Sequence, residues 1–181
     1  MKKINNLKEL FILQLNDLYY TKQKQLENLA NLENLVSSKD LKKQINKHLH
    51  ESNQQVDHLN EVFRKVNEMP VEGKCIAMDA LLEEENRLLE RCEGPEILDA
   101  AVIKSLQAIN HYEIATFGTA CTYAKEMGQI DIAEILHVAL EEEKKMDQQL
   151  TFIAKEGINE KAMHQQPKKL IKEHETREQK K

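Results

Sequence analysis

Glu143 and Asp147, two acids four residues apart, interrupt a helical stripe that is otherwise apolar: Ala133, Leu136, Leu140, Glu143, Asp147, Leu150, Ala154. Steps of three and four put all seven on one face. Glu142 borders that face near Ala139 and Met146. Carboxylates turned toward a core are costly unless a cation compensates them. A metal ion is one compensation and a cationic side chain is another; acids at the edge of a stripe need neither. Three more stripes carry polar interruptions. Leu98, Val102, Leu106 and Ile109 lead to Glu113 and then to Phe117, Ala120 and Ala124. Leu41, Ile45, His48, Ser52, Gln55, Leu59, Val62 and Val66 make a stripe that is polar in the middle, with Glu51 on its flank. Leu7, Phe11, Gln14, Leu18, Thr21, Gln25, Leu29 and Leu32 make another, without an acid but with Lys22 on its border.

Oxygen donors joined by an imidazole suit iron or manganese better than zinc or copper. Di-metal carboxylate bundles place a Glu on each of two helices and Glu-x-x-His on each of the other two. This sequence keeps that plan loosely. It has no Glu-x-x-His in the four stripes, offers Glu143-x-x-x-Asp147 instead, and reverses the order in His48-x-x-Glu51. With Lys22 near, an ammonium can stand in for the metal. The residues alone leave three readings open: a metal site, a buried polar network, or plain edge residues.

The elements that must position these groups follow from the breakers. Residues 5–36 and 39–68 run without Gly or Pro, and Ser38 or Asp40 can cap the second run. A shorter piece, about 75–91, lies between Pro70 with Gly73 and Gly94-Pro95. Residues 96–127 end at Gly128, and residues 130–156 end at Gly157. A run of about 30 residues spans roughly 45 Å as a helix. Short links make the first pair and the last pair antiparallel, and the long middle link can carry the chain back along the bundle. The expected fold is all-α, a ferritin-like four-helix bundle with a short helix in the crossover between the second and third long helices. A simple up-and-down bundle with a decorated loop is the alternative. The bundle is expected over 1–156, with 157–181 a polar, mobile tail.

Composition agrees. The chain has 181 residues, 5 Gly, 3 Pro and no Trp, which disfavours an all-β fold. Its net charge of −5 disfavours nucleic acid as a partner. No run reaches the roughly 18 apolar residues of a membrane span, and MKKINNLKEL lacks the apolar core of a signal peptide. Cys75, Cys92 and Cys121 lack metal spacing and are expected to be reduced packing residues of a cytoplasmic protein. Tyr19 is expected to be a half-buried aromatic. No phosphate-binding loop, dinucleotide fingerprint or nucleophile elbow occurs.

Several segments, in order, resemble the YciE/YciF ferritin-like stress proteins of bacteria: LKELFILQLNDLYYTKQKQL, HLHESNQQVDHLNEVF, GKCIAMDALLEEE, HYEIATFGT and LEEEKKMDQQL. The resemblance covers about residues 5–156. It implies a rubrerythrin-like bundle, a homodimer, a stress-associated role, and a candidate iron or manganese centre with iron- or peroxide-linked chemistry. Carried over by position, the metal ligands it implies are Glu51, Glu113, Glu143 and Asp147, with His48 or Gln55 assisting. The family's pattern has Glu where this sequence has Gln14, Lys22 and Asn110. The alternative expectation is a metal-free bundle dimer, structural or interacting, whose core acids are neutralised by Lys22.

Overall fold

The computed structural model describes residues 3–71 and 73–165. Helix α1 spans Leu7–Leu35, α2 Lys39–Lys65, α3 Ile76–Leu89, α4 Pro95–Glu126 and α5 Ile130–Ile153. A π turn, Ala154–Ile158, leads into a short α6, Asn159–His164. No strand occurs among the described residues, so the all-α expectation holds.

The ends of the helices are set by local chemistry. The Asn6 side chain accepts from the Glu9 amide and caps α1; Ser38 does the same for α2 through the Leu41 amide. Pro95 begins α4, where a missing amide hydrogen costs nothing. Gly128, at φ +73, ends the α4 segment in a backbone region that favours glycine. Gly157, at φ +154, bends the chain without stopping it, so residues 159–164 are helical where a tail is expected from the sequence. Gln165 then accepts from the Ile97 amide at 2.9 Å and ties this end to the start of α4. The rest of the expected tail, 166–181, lies outside the described residues.

Two apolar clusters give the helix directions. One joins Phe11, Leu15 and Leu18 of α1 with Leu59 to Phe63 of α2, Phe117 to Ala124 of α4 and Ile132 to Leu140 of α5. The other joins Leu29 and Leu32 with Leu41 and Ile45, with Val102 to Leu106, and with Met146 and Leu150. Thus α1 and α5 run one way and α2 and α4 the other. Because α2 and α4 are parallel, the chain must return along the whole bundle between them, and α3 makes that crossover. This is the ferritin-like arrangement rather than a simple up-and-down bundle.

The crossover helix is pinned from both sides. Tyr20 of α1 donates to Asp79 of α3 at 2.6 Å. Cys75, Met78 and Ile109 form a small satellite core with Tyr20 and Tyr112 against it. Cys75, Cys92 and Cys121 are free thiols, two of them buried. Tyr19 is half-buried and meets Phe63 edge-on at 5.9 Å.

Candidate functional site

Between the two apolar clusters lies one polar layer at mid-height, and all four long helices contribute to it. α1 supplies Lys22 and Gln25, α2 His48, Ser52 and Gln55, α4 Asn110 and Glu113, and α5 Glu143; each is buried. Lys22 is its centre, with no exposed surface. Its ammonium lies 2.7 Å from Glu113 Oε1 and 2.5 Å from Glu143 Oε1, and donates to Gln25 Oε1 at 2.7 Å. Three oxygens face a group that has three N–H donors. The Phe117 ring lies 5.7 Å from the same nitrogen and adds its π face to the shell.

Gln25 knits the layer together. Its Nε2 donates to Glu113 Oε2 at 2.8 Å and lies 3.3 Å from His48 Nε2. The His48 Nε2 atom is 3.2 Å from Glu143 Oε2. Asn110 Nδ2 donates to that same oxygen at 3.1 Å and to the Glu143 carbonyl at 3.3 Å. Every carboxylate oxygen of the pair therefore faces a nitrogen.

The two acids do not share the charge equally. Burial and the neighbouring Glu143 carboxylate push the Glu113 carboxyl up to about 8, although Lys22 and Gln25 oppose them. Glu143 is buried too, but Lys22 and His48 more than offset that and hold it well below the usual carboxylate range. Burial disfavours the charged form of Lys22, yet Glu113 and Glu143 outweigh it and the ammonium is retained. Of the two acids, Glu143 is thus the one held ionised and Glu113 the one that takes up a proton more readily. Two carboxylates this close titrate as a pair in which one gives way.

Of the residues singled out in the sequence, the fold brings together His48, Glu113 and Glu143, and it puts Lys22 between the acids. It does not bring Glu51, Gln55 and Asp147 to them. Glu51 is 18% exposed and pairs with Lys47, one turn away. Asp147 is 21% exposed and faces His111 and Gln107 on the outer seam of α4 and α5. Gln55 is buried but donates to Glu142, not to the central acids. Gln14 is half-buried, and its place in the core belongs to Leu15. Asn110 and Gln25 are working members of the layer; Gln25 lies on the apolar stripe, which is the signal for it, while Asn110 sits one residue off its stripe.

Tested against this geometry, a di-metal centre does not fit the residues present. A protein-borne cation already stands between the two carboxylates. One Glu143 oxygen is taken by Asn110. The buried His48 Nδ1 has no partner, whereas a metal-bound imidazole is normally oriented by a hydrogen bond from its other nitrogen. His48, Glu113 and Glu143 do offer ligand atoms within 4.8 Å of one another.

Comparison with known proteins places this geometry in context. Residues 6–163 match the family model described as a domain of unknown function, DUF892. Protein YciF of Escherichia coli K12 is 34% identical over 160 residues, which are 88% of this chain and 96% of that protein. The crystal structure of the E. coli stress protein YciF superposes with a TM-score of 0.82, covering 86% of this chain and 99% of that one. YcfI of Rhodopseudomonas palustris, a candidate structural protein, is 32% identical with a TM-score of 0.81, over 83% of this chain and 96% of its own. A Xanthomonas campestris protein, 19% identical with a TM-score of 0.68, shares the fold.

Proposed function

The chain belongs to the DUF892 family of YciF-like helical bundles, and from that premise we propose that it is a metal-free, stress-associated bundle that acts by association, as a structural protein. Its central acids are held by Lys22 and not by iron or manganese. One observation carries this reading: the Lys22 ammonium sits within 2.7 Å of an oxygen of each buried glutamate, where a bridging cation would lie. The layer is buried, and it ties all four long helices at one level. That is what a rigid scaffold needs from its core. The likeness to a stress protein and to a candidate structural protein supports the same reading.

The competing reading is a bundle that holds iron or manganese on Glu51, Glu113, Glu143 and Asp147, with His48 or Gln55 assisting. It is favoured by the three ligand atoms within 4.8 Å, and weakened by the outward positions of Glu51 and Asp147. Metal analysis separates the two. The chain is purified without chelator, then incubated anaerobically with Fe(II) or with Mn(II) and desalted. The expected result is near-zero bound metal in both samples. Bound iron or manganese at about one equivalent per chain overturns the proposal.

A further inference from the structure

Resting on that reading, we infer that the core of this protein is a latent site for a hard divalent cation, and that the tethered ammonium of Lys22 is the element that keeps such ions out. An ammonium and a small divalent ion ask for the same surroundings, several oxygen donors converging on one positive centre. Lys22 Nζ has them in Glu113, Glu143 and Gln25. With the amine gone, the two carboxylates and His48 Nε2 remain within 4.8 Å of one another. Metal–oxygen bonds of roughly 2.0–2.2 Å would span such a group with little movement of the helices.

The exclusion has two physical parts. A side-chain amine is present at every moment, because it is covalently attached, whereas a free ion must compete for the same oxygens at its solution concentration. An incoming ion must also share the layer with the ammonium, because the Lys22 side chain is fully buried there. Two like charges in one buried layer repel strongly. Deleting the side chain beyond Cβ removes both obstacles and vacates the space of about four heavy atoms, enough for an ion and a water. Oxygen donors with one imidazole favour Mn(II) or Fe(II).

The test uses the full chain and Mn(II) alone. Wild type, Lys22→Ala, Lys22→Ser and the double variant Lys22→Ala/Glu143→Gln are dialysed against Mn(II), and bound manganese and thermal midpoints are measured. Lys22→Ser covers the case in which Lys22→Ala does not fold. Wild type is expected to stay metal-free. The folded single variant should take up about one ion per chain. Its midpoint should rise by roughly 5–10 °C at an Mn(II) concentration about a hundredfold above Kd. The double variant should lose both effects. A folded single variant that takes up no manganese overturns the latent site and leaves the metal-free reading of the wild type standing. Uptake by the wild type equal to that of the variant overturns both. Uptake that survives Glu143→Gln places the ion elsewhere and also overturns the inference.

Discussion

A lysine with no exposed surface is rare unless paired, and Lys22 is paired twice over. The charge it supplies balances one carboxylate, and of the two acids Glu113 is the one whose carboxyl is pushed up. Its folded value, about 8, lies above its ordinary value of 4.5. Between those values the folded state holds a proton that the unfolded state has released. Stability from this group therefore falls as pH rises from about 4.5 to about 8. Glu143 acts in the opposite sense: its lowered value contributes stability above about 4.5 that is lost as pH drops below it. Glu113→Gln removes the first effect alone. The expected outcome is a flatter fall in urea midpoint between pH 5 and 8 than in wild type, with the acid limb unchanged; an unchanged alkaline slope would refute the assignment. Lys22→Met leaves the acids unpaired, and breaking a buried pair costs about 3–5 kcal/mol. That loss should be largest near pH 8, should shrink near pH 5, and is read by chemical denaturation at both.

At this scale the sequence was readable where a polar residue broke an apolar stripe: Glu113, Glu143, His48 and Gln55 are all buried. It misled where a step of three and a step of four compete. From Glu143 the buried line goes on to Met146, not to Asp147, and on α1 it passes through Leu15 and not Gln14. A helix of 3.6 residues per turn leaves that one-residue choice to its neighbours. The meeting of Lys22 with Glu143 joins positions 121 apart, and periodicity carries no information on such a pairing.

The elements themselves were far more legible than their contacts. Gly, Pro and Ser mark nearly every boundary, so the runs 39–68, 75–91 and 96–127 foretell α2, α3 and α4 to within a few residues. Gly157 is the exception. A glycine there was expected to end the helix, but the packing of Ala154 and Ile158 into the apolar cluster beside Met146 carries the chain through a π turn. What joins the α1–α2 hairpin to α4 at this end is Asp99. Its carboxylate accepts from the Ser37 amide at 2.8 Å, the Ser37 hydroxyl at 2.7 Å and the Ser38 amide at 2.9 Å. Ser38 in turn caps α2, so one buried acid orders a turn, a cap and a helix contact together. Asp99→Ala takes the carboxylate from these partly exposed donors, at about 2–3 kcal/mol for hydrogen bonds to a charged group. A fall in thermal midpoint of roughly 4–12 °C is expected for a domain of this size, measured by circular dichroism. A shift under about 2 °C would show that water replaces the carboxylate without loss.

For the molecule as a whole, the association proposed above has to come from the surface and not from the core. Several exposed apolar side chains gather at one end, where the start of α1 faces the segment after α2. Ile4, Leu13 and Val71 line an open groove of about 770 Å³ there, and Met69 and Ile76 stand exposed on the adjoining segment. Charges of both signs surround the groove: Lys3, Lys8 and Lys74 against Glu9, Asp17 and Glu68. Such a balance does not select a partner of a single sign, such as nucleic acid. It does suit a two-fold contact, in which the same patch meets itself and each lysine can find an acid of the other copy. Burying apolar surface supplies the drive, at roughly 25 cal/mol per Å² before the cost of association is met. Leu13→Glu and Val71→Glu each put a charge into this groove and touch nothing in the polar layer. Sedimentation equilibrium should find wild type dimeric and each variant weakened at least about tenfold, the equivalent of roughly 1.4 kcal/mol, with unchanged helical content. A wild type that sediments as a monomer even at about 100 μM would remove association from the function proposed for this bundle.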